Sequence, residues 1–245
     1  MKINGHQQWK GRNSMENVIH LSNVYKKIRD GQVELTILDN LSLTIKRGEI
    51  VSIVGKSGAG KTTLLNILSF LDRSFQGDYL FNGQCVTQFH DKAYFKARLE
   101  MIGNIFQQYQ LIPDLNVIQN VELPLGYRGI GRNKRKQLAE EAIALVGLKG
   151  REKTPVHRLS GGEQQRVAIA RGIVFSPNIL LADEPTGNLD EVTSRAIMDL
   201  LVFLNQEKQM TILIVTHDDE VAKRCHRVLR LEKGKVYDET QKMNY

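Results

Sequence analysis

Residues Gly55-Lys56-Ser57-Gly58-Ala59-Gly60-Lys61-Thr62 are spaced to hold phosphate, fitting the pattern G-x-x-x-x-G-K-[ST]. The glycines let backbone N–H groups curl around the β- and γ-phosphates of a nucleotide. A helix beginning near Lys61 adds the partial positive charge of its N-terminus. Lys61 then reaches the β/γ oxygens, the Thr62 hydroxyl faces Mg²⁺, and Thr63 carries the loop into the helix. The motif predicts bound nucleotide; it says nothing of what hydrolysis drives.

Ile179-Leu180-Leu181-Ala182-Asp183 is an apolar run ended by a carboxylate. At the carboxyl edge of a parallel sheet, Asp183 faces the ligand crevice and can hold Mg²⁺ directly or through water. Glu184 points differently and, left free, can polarise an attacking water as general base. Ile212-Leu213-Ile214-Val215-Thr216-His217 repeats the pattern, and His217 is expected to approach the γ-phosphate. Gln107 follows a short strand and can bind Mg²⁺ or the lytic water once nucleotide is present. Three strand ends, at Gly55, Asp183 and His217, thus converge on one crevice.

That convergence requires particular elements. Residues 49–54 read as a buried strand and 61–71 as a helix with apolar Leu64, Leu65, Ile67, Leu68 and Leu71. Residues 33–45 alternate as two strands around a turn at Asp39-Asn40. Residues 79–81 form a strand closed by the tight turn Asn82-Gly83, and 101–106 another. From 109 to about 160 helical patterns dominate, punctuated by Pro113, Pro124 and Pro155, with a helix over 134–147. Helix 163–175, strand 178–182, helix 195–204 and strand 210–215 follow, then a hairpin at Lys233-Gly234. Strands alternating with helices imply an α/β fold with a mainly parallel sheet.

Hydrophobic residues are 41% and charged residues 25% of the chain, ordinary for a globular core. No apolar run approaches the roughly 18 residues of a membrane helix. Residues 1–14 read as a flexible basic leader without an apolar signal segment, ahead of a domain over 15–245; a cytoplasmic location is expected. Cys85 and Cys225 lack metal spacing. The net charge is +7, and five cations fall in 128–136. Two readings of the basic stretches stand: solvated surface, or attraction to anionic headgroups or another acidic partner.

Leu159-Ser160-Gly161-Gly162-Glu163-Gln164-Gln165-Arg166 resembles the signature of ABC ATPases, L-S-G-G-[QE]-x-Q-R. Ser160 and two glycines at a helix start make a second anion nest, and one ATP does not need two. The resemblance extends over about 19–237 and is nearest to cassettes of the lipoprotein-releasing and macrolide-exporter type. It implies a P-loop NTPase core, an N-terminal antiparallel β subdomain and an inserted helical subdomain over about 109–160. It matches Gln107 to the Q-loop, Asp183-Glu184 to the Walker B pair, Leu189-Asp190 to the D-loop and His217 to the switch histidine. The signature, Leu159 to Glu163, would cap ATP bound by a second cassette in a homodimer. An integral membrane subunit would be the further partner, with the cassette peripheral on the cytoplasmic face. The family's adenine-stacking aromatic falls at Ile28, with Tyr25 at an odd offset and so on the opposite strand face.

A cell-division regulatory cassette is an alternative that sequence separates poorly from transport. A nucleic-acid ATPase of the same superfamily is disfavoured: the chain has no long coiled-coil insertion, no zinc cysteines and no second cassette, and no nucleic-acid partner is expected.

Overall fold

The computed structural model describes residues 17–31 and 33–243; the leader expected over 1–14 lies outside the described residues. Strands β1 (Asn17–Asp30), β2 (Val33–Lys46), β4 (Gln76–Phe81) and β5 (Gln84–Cys85) form an antiparallel sheet in the order β2-β1-β4-β5. Strands β3 (Ile50–Val54), β6 (Ile102–Ile105), β7 (Ile179–Asp183), β8 (Thr211–Thr216), β9 (Arg227–Glu232) and β10 (Lys235–Asp238) form a six-stranded sheet in the order β10-β9-β3-β8-β7-β6. All neighbours in it are parallel except the edge pair β9 and β10. The α-helices are α1 (Lys61–Leu68), α2 (Asp91–Met101), α3 (Val117–Tyr127), α4 (Arg132–Leu145), α5 (Gly161–Ile173), α6 (Glu191–Lys208), α7 (Asp219–Ala222) and α8 (Thr240–Met243).

The central strands β3, β7 and β8 are apolar almost end to end, as strands covered on both faces must be. Alternate side chains go to different cores. Val51, Ile53, Leu181, Leu213 and Val215 pack with the antiparallel sheet and α1. Ile50, Leu180, Ala182, Ile212 and Ile214 pack beneath α3, α4, α5 and α6. The sheet is therefore pinned from both sides, and only its carboxyl-end loops are left to do chemistry.

Three expectations are corrected, and one helix is added. Residues 33–46 form one strand rather than two: Asn40 takes φ 53° and serves as an irregularity in the β1–β2 ladder. Asn does so at little cost because its short polar side chain tolerates the left-handed region. The helix after the phosphate loop ends at Leu68, and Leu71 is exposed. Helix α2 is not expected from the sequence; it is highly charged and buries only Tyr94 and Ala97. Pro124 lies inside α3 rather than ending a segment. The missing N–H forfeits one ladder bond, while an Asn116–Gln119 capping box secures the start of the helix. The 109–160 block holds helices over 117–127 and 132–145 and a 3-10 turn at Val156–Arg158, and α5 packs against α3 and α4.

Candidate functional site

Strand register assembles the site. Val54 of β3 pairs with Thr216 of β8, and Asp183 of β7 pairs with Val215. Gly55, Glu184 and His217 therefore leave the sheet at one level. Ile105 pairs with Ala182, which brings Gln107 to the same edge.

After β3 the chain turns tightly. A Cβ on Gly55 would sit 2.6 Å from the Leu231 carbonyl oxygen, and Gly60 adopts φ 99° as the N-cap of α1. No side chain caps this helix, so the N–H groups of Lys61, Thr62 and Thr63 are left for an anion. Lys61 Nζ donates to the carbonyls of Gly55 (2.6 Å) and Lys56 (3.1 Å), which holds the cation across the loop.

Glu184 has φ 46°, a conformation uncommon outside glycine. Its N–H donates to Val215 O (2.8 Å), and its carbonyl accepts from Gly187 N–H (3.1 Å). This turn swings Glu184 away from the direction of Asp183. Its carboxylate lies 2.8 Å from His217 Nδ1 and accepts from the Thr216 hydroxyl at 3.3 Å. The Glu184 side chain is 14% exposed and the imidazole 70%, so the dyad has a dry end and a wet end. Burial, then the neighbouring Glu184, push the Asp183 carboxyl above its ordinary range, and Lys61 opposes them. One carboxylate thus faces the lysine while the other faces a histidine.

Gln107 is held on the turn that follows Glu184. Its carbonyl accepts from Asn188 Nδ2 (2.9 Å), and its amide lies against Gly187, 3.1 Å from where a Cβ would stand. The side chain therefore packs on the turn that carries Glu184.

The start of α5 is closed by a capping box. Ser160 caps α5: its hydroxyl accepts from Glu163 N–H (3.3 Å), while Glu163 Oε2 accepts from Ser160 N–H (2.9 Å). The Ser160 N–H bond, aided by the Arg151 and Ser160 side chains against some desolvation, holds the Glu163 carboxyl below its ordinary range. Leu159 is buried beneath the nest. A Cβ on Gly161 would stand 2.9 Å from the Tyr109 hydroxyl, and one on Gly162 would collide with the Thr193 methyl. The nearest neighbours of these glycines are thus Tyr109, Leu189 and Thr193, none of them from the phosphate loop. Asp190 caps α6, accepting from Thr193 N–H (3.0 Å) and from its hydroxyl (2.6 Å).

Sequence reasoning misses three contributors. Thr216 braces Glu184, Asn188 fastens Gln107, and Gln165 bonds the Pro185 carbonyl. Thr216 is signalled as the polar end of an apolar strand, and Gln165 by its fixed place in the signature segment; what the sequence does not show is the partner of each. A cleft of about 680 Å³ opens beside Glu184 and His217, lined also by Leu189, Glu191 and Met198.

A glycine-rich loop opening a helix, with the Asp183-Glu184 pair at a neighbouring strand end in a doubly covered parallel sheet, defines a P-loop ATPase. The family model for ABC transporters matches residues 38–187. The chain is 46% identical over 219 residues to the ABC transporter ATP-binding protein YknY of Bacillus subtilis (strain 168), covering 89% of this chain and 95% of that one. It is 42% identical to the macrolide export ATP-binding/permease protein MacB of Shewanella sp. (strain ANA-3), over 89% of this chain but 33% of that longer protein. A dimeric ATP-binding cassette, MJ0796, solved in a post-hydrolysis state with ADP and phosphate, matches with TM-score 0.82 and 40% identity, covering 90% and 97% of the two chains. The chain belongs to the ABC transporter ATP-binding family and is an ABC-type ATPase.

Proposed function

We propose that two copies of this chain close head to tail on two ATP molecules and drive an export-type membrane complex, of the lipoprotein-releasing or macrolide-exporting kind. The observation that supports this reading is a pair of helix starts with different neighbours, an uncapped one at Gly60-Lys61 and one at Ser160-Gly161 closed by its own capping box. A second copy supplies the signature to each phosphate loop, as the dimeric MJ0796 cassette supports. The name of the MacB relative supports export. Among the described residues no helix is long and apolar enough to cross a membrane. In the proposed complex the cassette sits on the cytoplasmic side of an integral membrane subunit.

In this reading, Gly55 to Thr63 wrap the phosphates, and Lys61 moves from its carbonyl partners to the β/γ oxygens. Thr62, Asp183 and Gln107 offer hard oxygen donors with a single carboxylate, which suits Mg²⁺ with phosphate and water completing its shell. When bound there, the ion supplies neutralising charge to the phosphates. Glu184 accepts the proton of the attacking water. His217, hydrogen-bonded through Nδ1, orients that carboxylate and presents Nε2 toward the γ-phosphate. Asp190 shapes the segment that meets the partner copy.

The membrane subunit is assigned to a cleft of about 520 Å³ between α2, α3 and α5. Its lining includes Phe95, 63% exposed, and Tyr127, 74% exposed, with Leu123 and Phe175. Arg98 lines it without an ion pair to any described residue. A short amphipathic helix with aliphatic anchors and one carboxylate fits this chemistry. Gln107 is not among its lining residues and lies against Gly187. A cysteine at Phe95 should crosslink an integral membrane protein in native membranes. Duplex DNA binding that is strong and salt-sensitive, with no membrane partner captured, would instead support the nucleic-acid alternative.

Ile28 stands opposite Leu35 at the exposed end of the β1–β2 ladder. Ile37, two residues along β2 from Leu35, touches the phosphate loop at Gly60. The register shifts between Val24 and Lys27 place the extra residues in β2, so Tyr25 and Ile28 stay on opposite faces of β1. The base therefore rests on aliphatic groups, and ATP is held mainly by its phosphates. Base–aromatic stacking is worth about 1–3 kcal/mol. Ile28→Tyr should tighten ATP binding by roughly 5- to 150-fold by calorimetry, while the unaltered chain discriminates poorly between ATP and GTP. No gain from Ile28→Tyr, with weakened binding in Tyr25→Ala, would place the base on Tyr25.

A further inference from the structure

Gln165 is fully buried on the second turn of α5, and its side chain is only half satisfied. Nε2 donates to the Pro185 carbonyl at 2.6 Å, while Oε1 is buried without a partner. An unpaired buried acceptor costs free energy and calls for a physical reason. A leucine of similar volume would fill the space without that penalty. What the glutamine adds is a tie between two elements. Five residues before it on the same helix lies Ser160, about 7.5 Å along the axis. One residue before Pro185 lies Glu184, in its left-handed conformation.

The turn from Glu184 to Asp190 is fastened from several sides. Gln165 holds Pro185, Ser194 holds the Thr186 carbonyl at 3.4 Å, and Asn188 holds Gln107. Of these ties, only that of Gln165 joins the turn to the helix bearing the signature. The first turn of α5 is also pressed on α6, since Gly162 leaves no room for a Cβ beside Thr193. A displacement of α5 at Ser160 thus reaches Pro185 through a short rigid lever.

Resting on the reading in which Ser160 caps the partner copy's nucleotide and Glu184 serves its own, we infer that Gln165 is a positioning residue that links the two ATP sites of the dimer. When the partner's phosphate draws in Ser160, α5 shifts, and the Nε2–Pro185 bond carries that shift to the Glu184 carboxylate. The unpaired Oε1 leaves Gln165 uncommitted to any second anchor, so it follows the helix. Phosphate on one side thereby sets the base on the other.

The test uses the full chain carrying Gln165→Leu or Gln165→Glu. Gln165→Leu keeps the packing but breaks the tie. It should bind ATP within about twofold of wild type, lower kcat at least tenfold, and accumulate as an ATP-bound dimer with MgATP by light scattering. A merely damaged fold would lose binding and the dimer together. Gln165→Glu adds a pH readout. A buried carboxyl has a raised pKa, and when protonated its O–H donates to Pro185 as the amide does. The ratio of its kcat to that of wild type should therefore rise as pH falls from about 9 to 6. Wild-type kcat in Gln165→Leu, a flat ratio in Gln165→Glu, or joint loss of binding and dimer in both variants would overturn the tie. If Glu184→Gln is inactive while Gln165→Leu turns over normally, the tie alone falls. If Glu184→Gln turns over normally, the reading beneath it falls.

Discussion

Glu184→Gln should lower ATP turnover by about 10²–10⁴-fold, the usual contribution of a general base, and should leave ATP binding in place. The geometry separates the two carboxylates cleanly. Asp183 sits low in the crevice, within the field of Lys61. Glu184 is turned by its positive φ toward His217 and Thr216. Glutamine keeps the shape and can still accept from the Thr216 hydroxyl, but it cannot take a proton from water. Lys61, Thr62 and Asp183 are untouched, so calorimetry should give an ATP affinity near wild type. Phosphate release measured alongside it gives the turnover.

The same variant should be caught as a dimer. Ligand that binds only the closed form stabilises it by RT ln(1 + [L]/Kd), about 2.7 kcal/mol at one hundred times Kd. Wild type loses that stabilisation at each hydrolysis, and Glu184→Gln retains it. Light scattering should report monomer without nucleotide and dimer with Mg-free ATP. Wild-type turnover in Glu184→Gln would remove Glu184 from the base role and leave the dyad a structural pair.

The sequence is most readable where one physical signal dominates. Strands β3, β7 and β8 are continuous apolar runs, so their ends, and with them Gly55, Asp183 and His217, follow from residue order alone. The glycine loop and the Ser160 cap are local motifs whose geometry follows from a few residues. Pairings that arise from strand register are not readable in this way. Glu184 and His217 are 33 residues apart and meet only because Asp183 lies opposite Val215. The left-handed turn at Glu184 has no sequence signature, since glutamate seldom adopts it. Helix α2 escapes because its charged sequence shows little apolar periodicity. Asp39-Asn40 misleads because the chemistry that makes turns also makes irregularities within a strand. Pro124 misleads because packing outweighs the local preference against proline in a helix.

Ser160→Arg should abolish ATP-dependent dimerisation while leaving ATP binding by the single chain intact. The phosphate loop and the signature have separate neighbours within one chain, so damage at Ser160 should be felt only in the partner's site. An arginine there removes the small hydroxyl and fills the nest with a long side chain. It also removes an N-cap worth about 0.5–2 kcal/mol, so failure to dimerise could reflect a frayed α5. Ser160→Asp separates these causes. Aspartate caps a helix as well as serine does, but its charge opposes a γ-phosphate. Both variants should bind ATP at the phosphate loop and stay monomeric by light scattering, even in the Glu184→Gln background. Lys61→Ala should also stay monomeric, but by losing the phosphate contact in its own chain. Mixing Lys61→Ala with Ser160→Arg gives one composite site with both defects and one with neither, so ATP should restore a heterodimer at reduced stability. Normal dimerisation of Ser160→Arg or Ser160→Asp would mean that each chain completes its own site, and the head-to-tail arrangement would fall.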